Sequence, residues 1–562
     1  MPDGIRAATL AAPVRAPIRA KISPDDRVMR VALLALAAFL LVAIALPLYA
    51  LLSKSFQNAD GQFIGLANYV KFLTTPALSW SIGNSFTVTM ITTAIVLPIA
   101  FLYAYGLTRT CMPFKALFKG IALIPFLMPS LLPAISLVYL FGNQGVIKGA
   151  LLGHSIYGPI GIVMGEAFYV LPHALTILLI AMAMSDARLY EASESLGASK
   201  VRTFFTVTLP SMRYGLVSAF FVIFTLVITD FGNPKVIGGD FNVLATEIYN
   251  QVSGQQNLAM GSTVSVILMI PAVLAFVLQY YFSRRNYALI SGQARPFLRP
   301  TRRGAARAFG AFCWLVCAMI LLVYATIITA SFIKLWGYDF TPTLRHYRFE
   351  ASDGWQVLWV SLKISVIGGI VGAIFSLLVA YIVEKKQPPG ARLLYLLAVI
   401  PAAIPGMVLG LAYIFAFNRP GVVFYGTIWI LVIANIVHYL ALGVLAGIAN
   451  MKQIDRSLEE ASVSLGAGVL MTFRRVLFPL SRVAFVSSAL YFFMTSMVTI
   501  SAVIFLYAPD TKTAALSVLL LDDAGEAGEA AAMSTLIIAV ILAVFLLVRL
   551  LLGRQGLRLI RG

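Results

Sequence analysis

Along the chain, long hydrophobic runs alternate with short polar segments. Runs of about twenty mostly apolar residues are long enough to cross a bilayer as helices. Twelve such runs occur, near 31–52, 83–107, 116–142, 158–184, 213–232 and 262–283, then near 309–332, 357–383, 391–417, 425–450, 483–506 and 533–553. The pattern predicts an all-α membrane protein of twelve transmembrane helices, because lipid offers no partner for unpaired backbone groups. The first run is too long for the core of a cleaved signal peptide and reads as a retained span. The runs divide the chain into a basic arm (1–30), a first half (31–283), a basic linker (284–308), a second half (309–553) and a short tail (554–562).

The two halves repeat one another. Glu191-Ala192-Ser193 with Gly197 and Pro210 recurs 269 residues later as Glu460-Ala461-Ser462 with Gly466 and Pro479. Each copy lies in a polar island, 185–212 and 451–482, between apolar runs. A short helix is the natural reading, with Glu near its positive end and Gly at its end or at a bend. The repetition extends into the third run of each half. There Ile124-Pro125-Phe126-Leu127-Met128-Pro129 matches Ile400-Pro401-Ala402-Ala403-Ile404-Pro405, and Ala104-Tyr105 matches Ala380-Tyr381. Prolines four apart free backbone carbonyls and kink a helix. Both halves run in the same direction, so the repeat is parallel, with its axis along the membrane normal.

Composition supports this picture. The 562 residues are 60% hydrophobic and 12% charged, with a mean hydropathy of +0.90. The net charge of +19 would suggest a nucleic-acid partner in a soluble chain. Here most of the Lys and Arg fall in the arm, the linker, the tail and the segments that carry the two Glu-Ala motifs. Such asymmetry predicts that these segments and both termini are cytosolic, and it removes the need for a nucleic acid. The linker, with Arg284, Arg285, Arg295, Arg299, Arg302, Arg303 and Arg307, reads as lying on anionic lipid headgroups.

The duplicated motif resembles the EAA loop of ABC importer permeases. Two loops in one chain look like two permease halves fused, and the resemblance covers nearly the whole chain. It implies a type I importer fold of two parallel six-helix repeats in the bacterial inner membrane. It also implies that Glu191, Ala192, Gly197, Pro210, Glu460, Ala461, Gly466 and Pro479 couple the chain to two copies of a cytosolic ATPase, and that a periplasmic or extracellular solute-binding protein delivers the substrate. The dipeptide Gly-Lys is absent from the sequence, so there is no P-loop. The chain is therefore expected to be a transport subunit rather than an enzyme, with ATP and Mg bound by the partner and no cofactor or metal of its own.

Fused double permeases are typical of the ferric-iron group and its relatives. Asp230-Phe231-Gly232-Asn233-Pro234-Lys235-Val236-Ile237-Gly238-Gly239, Asn242 to Thr246 and Leu137 to Gly145 look most like the 2-aminoethylphosphonate permeases of that group. The resemblance implies a small anionic or zwitterionic solute, 2-aminoethylphosphonate first, with ferric iron as the alternative. An ion-coupled secondary transporter would want more embedded carboxylates than this chain shows.

Intramembrane polar residues are few, and each has two readings. Glu166 and Asn435 occupy equivalent places in the fourth runs and either line a shared pathway or bond helix to helix. Asp230 belongs to an outer gate or to a helix-terminal turn. Pro125, Pro129, Pro401 and Pro405 shape a pore or pack as kinks. His173 and His438 are not equivalent and read as packing residues, as do Cys313 and Cys317. Tyr249 to Gln256 and Asp522 to Glu529 read as solvated external loops.

Overall fold

The computed structural model describes residues 24–288, 303–349 and 354–561. Most of the linker and the N-terminal arm lies outside the described residues, including Arg295, Arg299 and Arg302 among the basic positions assigned to lipid headgroups. The observed helices run into the expected linker at both ends, to Ala288 on one side and from Arg303 on the other.

Among the described residues, nine of the expected spans appear as continuous helices and three as bent helix pairs, which makes twelve with each pair taken as one span; most extend beyond their apolar runs. In the first half they are span 1 (Asp25–Ser55), span 2 (Pro76–Arg109), span 3 (Lys115–Leu127 with Leu131–Phe141), span 4 (Pro159–Ala183), span 5 (Lys200–Thr229) and span 6 (Leu258–Phe282). In the second they are span 7 (Ala305–Ser331), span 8 (Gly354–Lys386), span 9 (Ala391–Ala403 with Gly406–Phe417), span 10 (Ile428–Gln453), span 11 (Val469–Leu480 with Arg482–Val498) and span 12 (Ala527–Leu551). The fold is all-α and repeated twice, apart from a hairpin of Ile333–Leu335 and Asp339–Pro342 between spans 7 and 8. Gly337 turns that hairpin at φ +82°, a conformation that glycine adopts without strain.

Spans 3 and 9 are broken rather than kinked, by 102° and 113°. A proline pushes the residue before it out of the helical region into an extended one. Met128 before Pro129 sits at φ −117°, ψ 145°, and Ile404 before Pro405 at φ −99°, ψ 117°. Pro125 and Pro401 tighten the preceding turn to a 3₁₀ helix over Ile124–Leu127 and Ile400–Ala403. Irregular backbone at membrane depth must be covered by protein. Met128 and Ile404 are accordingly buried.

The cover comes partly from the opposite half. The second part of span 1 packs on span 9 as well as on span 6, and span 7 packs on spans 2 and 3. Phe118 meets Trp314 edge to face at 5.1 Å. The Tyr103 hydroxyl donates to the Phe118 carbonyl at 2.8 Å and lies 3.1 Å from Cys317 Sγ. Cys313 and Cys317 are buried packing residues on this face. Phe39 of span 1 meets Phe375 of span 8 at 5.3 Å.

The expected solvated loops before spans 6 and 12 hold only in part: Ser253 to Gln256 and Asp523 to Glu526 are exposed, whereas Gln251, Val252 and Glu529 are buried and Ala527 already begins span 12. Leu244–Tyr249 and Ala514–Asp523 are helices, and Leu244 to Ile248 and Ala514 to Leu519 are buried. Each is pinned by a repeat-related serine: the Leu244 N–H donates to Ser85 Oγ at 2.8 Å and the Ala514 N–H to Ser361 Oγ at 2.6 Å. The helices that lead into these loops pack against neighbouring spans, and Glu247, Gln251 and Ser517 are buried with them. Span 11 also stops at Val498, and turns replace the expected helix from 499 to 506.

Spans 8, 10 and 11 meet where Gly443 leaves room for its neighbours. A methyl group there would lie 2.5 Å from Ser376 Oγ and 2.7 Å from the Phe492 ring. Overpacking of this kind costs about 1–3 kcal/mol. Gly443→Ala should therefore lower the thermal unfolding midpoint of the detergent-purified chain, even though alanine is the better helix former. An unchanged or raised midpoint would mean that this three-helix contact is looser than described.

Candidate functional site

The two Glu-Ala islands fold alike. Asp186 and Asp455 start the helices, accepting from the backbone N–H groups of Arg188 and Ser457 at 3.0 and 2.9 Å. Aspartate is a strong N-cap because its carboxylate satisfies an otherwise orphaned N–H. The N–H and hydroxyl of Ser457 hold the Asp455 carboxyl below its ordinary range. The helices span Ala187–Ser195 and Arg456–Ser464. Glu191 and Glu460 lie at their centres, which corrects their expected place near the positive end.

Gly197 and Gly466 end the helices at φ +70° and +78°. The Ala198 N–H donates to Ser193 O at 3.0 Å and the Gly197 N–H to Glu194 O at 2.9 Å. In the second copy, the Ala467 N–H donates to Ser462 O at 3.1 Å and the Gly466 N–H to Val463 O at 2.9 Å. This paired 6→1 and 5→2 pattern closes a helix C-terminus and requires a left-handed residue, for which glycine is suited. Ser193 and Thr203 hydroxyls then meet at 2.8 Å, and those of Ser462 and Thr472 at 2.9 Å, drawing the following segment back onto the helix.

Pro210 and Pro479 do not precede their spans; they lie inside the helical segment that follows. Each comes just after a π-turn, Phe204–Thr208 and Phe473–Leu477. A proline lacks an N–H and crowds the carbonyl four residues back, which a widened turn relieves. Span 5 stays one helix, whereas span 11 bends by 78° after Leu480.

The outer faces of both copies carry uncovered apolar side chains. Leu196 and Leu465 are 86% and 87% exposed, and the repeat-related pairs Leu189/Leu458 and Val201/Leu470 are also exposed. Exposed apolar groups that recur at equivalent positions mark a contact surface. Glu191, Ala192, Glu460 and Ala461 share this exposure.

At the opposite end of the bundle, Glu166, Asp230 and Asn233 are buried together. Asp230 accepts from the Asn233 N–H at 2.9 Å, and the Asn233 side chain donates to Ile162 O at 3.0 Å. Asp230 thus occupies a helix-terminal turn and is also a neighbour of Glu166 in span 4. In the second half, the buried Asn435 replaces Glu166 and Thr499 replaces Asp230, with the Tyr439 hydroxyl donating to Thr499 Oγ1 at 3.0 Å. His173 packs on Phe126 at 4.5 Å, and His438 lies against Tyr439 at 4.6 Å. The halves also touch here: Lys235 Nζ lies 3.1 Å from Asp523 Oδ1, and the Tyr139 hydroxyl donates to Ala527 O at 2.5 Å. No group of His, Cys, Asp and Glu among the described residues is arranged to hold a metal.

Asp186, Asp455 and the Ser–Thr pairs were missed by the sequence reading. The repeat spacing was the available signal, since all recur 269 residues apart.

Comparison with known proteins follows the same two-fold division. Residues 96–286 and 372–556 each match the family described as binding-protein-dependent transport system inner membrane component. The ferric transport system permease protein FbpB of Actinobacillus pleuropneumoniae is 30% identical over 94% of this chain and 78% of its own length. The putative ferric transport system permease protein FbpB 1 of Haemophilus influenzae is 30% identical over 88% of this chain and 80% of its own length. A spermidine/putrescine transport system permease protein PotC homolog of Mycoplasma genitalium is 28% identical, covering 37% of this chain and 72% of its own length. The repeated fold, the paired motif helices and these matches lead to one assignment: the chain belongs to the binding-protein-dependent ABC importer permeases of the inner membrane, with two copies of the family's unit in a single polypeptide.

Proposed function

We propose that this single chain forms the whole translocation pathway of an ATP-driven importer, with both motif helices in the cytosol and one ATPase subunit docked on each. The recurrence of exposed leucines around two identically capped helices carries this reading. Glu166, Asn435 and Asp230, with the breaks at Pro125, Pro129, Pro401 and Pro405, are the pathway candidates. Both termini are cytosolic, following the basic-residue asymmetry. Reporter fusions after Asn257 and Asp523 should then report an external location and one after Ser199 a cytosolic one. An external signal at Ser199 would reverse the orientation and remove the ATPase from these helices.

The glycines give a direct test of docking. A Cβ at Gly197 or Gly466 would meet nothing within 4 Å, so any effect comes from backbone conformation or from the partner's surface. A non-glycine residue in the left-handed region costs up to about 1–2 kcal/mol, and less for aspartate, which loosens the helix end without unfolding the bundle. Gly197→Asp and Gly466→Asp should each reduce uptake and co-purification of the ATPase, with membrane insertion intact. Wild-type uptake and normal ATPase recovery in both variants would make these helices ordinary connectors.

Ferric iron is the first reading for the solute, because two relatives that align along most of their length are ferric transport permeases. The zwitterion 2-aminoethylphosphonate is the second, favoured by the segments from Asp230 to Gly239 and Leu137 to Gly145. Cells that carry the chain with its ATPase and solute-binding protein should accumulate radiolabelled iron, with no competition from excess 2-aminoethylphosphonate. Accumulation of labelled 2-aminoethylphosphonate instead would select the second reading, and accumulation of neither would reject both.

A further inference from the structure

The motif helices are held at two points by a span that is not their neighbour in sequence. Span 2 ends at Arg109, whose side chain is buried, with 5% of its surface exposed. Its guanidinium donates to Met182 O at 3.0 Å, at the end of span 4. It also lies 4.7 Å from the ring centre of Tyr190, within the first motif helix. A buried cation is costly unless it is paired, and here a helix-terminal carbonyl and an aromatic face receive it. One turn earlier, Tyr105 meets Phe204 at 6.1 Å in the π-turn that follows the motif helix. Arg109 therefore grips the entrance to the loop and Tyr105 its exit.

The second half builds the same grip. Lys385 stands where Arg109 does in the repeat, and its ammonium donates to Ile454 O at 2.5 Å, immediately before the Asp455 cap. Tyr381, one turn earlier, meets Phe473 at 5.2 Å in the matching π-turn. Lys386 adds an ion pair to Glu459 of the second motif helix. Two turns of two different spans thus arrive at one arrangement, a tyrosine and a cation four residues apart straddling the loop.

We propose that Tyr105 with Arg109, and Tyr381 with Lys385 and Lys386, are positioning residues that clamp each motif helix to the inner end of spans 2 and 8. The proposal rests on the ATPase reading above. Covalent continuity links each motif helix only to the spans on either side of it, through short non-helical joints at Ser185-Asp186 and Ala198-Ser199 in the first half. Such joints absorb displacement. The clamp adds a third, side-chain link, so a push on the motif helix moves span 2 or span 8 as well. Those spans carry Ser85 and Ser361, which pin the short buried helices at the far end of the bundle. The clamp therefore completes a mechanical connection from the ATPase contact to the far end.

The test measures uptake and ATP hydrolysis together, on the full complex with its ATPase and binding protein in proteoliposomes. The probe is radiolabelled ferric iron, or 2-aminoethylphosphonate where the uptake experiment selects it. Arg109→Gln and Lys385→Gln should leave the ATPase bound but lower solute transported per ATP by at least about fivefold, the low end of usual coupling between sites. Arg109→Lys should restore part of the loss, because a cation again reaches the carbonyl. Tyr190→Leu, which keeps the Arg109 bond to Met182, covers the case in which Arg109→Gln does not accumulate, and it should also lower the ratio. In the second half, Lys386→Glu should lower the ratio and the added change Glu459→Lys should recover it. Wild-type ratios in Tyr190→Leu and Lys385→Gln would overturn the clamp while leaving the ATPase reading intact. Failure of the unmodified chain to bind any ATPase would overturn both.

Discussion

The architecture depends on the burial of broken backbone inside a membrane. Spans 3 and 9 each turn by more than a right angle at their prolines, and lipid has no donor or acceptor for backbone groups left open at such a turn. Part of the cover is exchanged between halves. Span 7 lies across spans 2 and 3 through Trp314, Cys317 and Phe309, and span 1 lies across spans 8 and 9 through Phe39 and Leu33. Neither half completes its own packing, which gives fusion of the two a physical sense.

Within that frame, equivalent positions keep geometry while changing chemistry. Where span 3 breaks, Gly232 approaches Ser130 so closely that a Cβ on Gly232 would lie 2.5 Å from the hydroxyl. At the matching place the roles are exchanged: a Cβ on Gly406 would fall against the Ser501 hydroxyl. One side of each contact is glycine and the other serine, so the approach survives while the residues trade places. The polar cluster near Glu166 has not been kept in this way. Two carboxyl groups and Asn233 in the first half stand against Asn435, Thr499 and Ala502 in the second. The pathway candidates are therefore asymmetric in charge although the fold around them is symmetric.

The motif helices show the reverse, with retention at both ends of each helix, although Ser199, which caps the next turn in the first half, gives way to Gly468 in the second. Asp186 and Asp455, Gly197 and Gly466, and both Ser–Thr pairs reproduce one another's hydrogen bonds to within a few tenths of an ångström. The glycines are needed for backbone conformation alone, since no neighbour crowds them. What differs is the grip from spans 2 and 8: a buried guanidinium over a ring in one half, and two ammonium groups with a carboxylate in the other.

The sequence alone determined the span count, the parallel repeat and the two motif loops. These rest on local quantities: the length of apolar runs, the spacing of Glu, Gly and Pro, and the constant offset between copies. It also placed the prolines but understated their effect, because whether a proline kinks or breaks a helix depends on what packs against the freed backbone. Tertiary structure decided the rest. Tyr249 to Gln256 looked like a solvated loop and is exposed from Ser253 on, yet the helix leading into it is buried, tied by Leu244 to Ser85, far away in the chain. The exchange of spans 1 and 7, the meeting of Glu166 with Asp230, and the grip of Arg109 on Tyr190 all join residues distant in sequence. No local pattern encodes them, because each exists only when two helices have already packed and set the distance between their side chains.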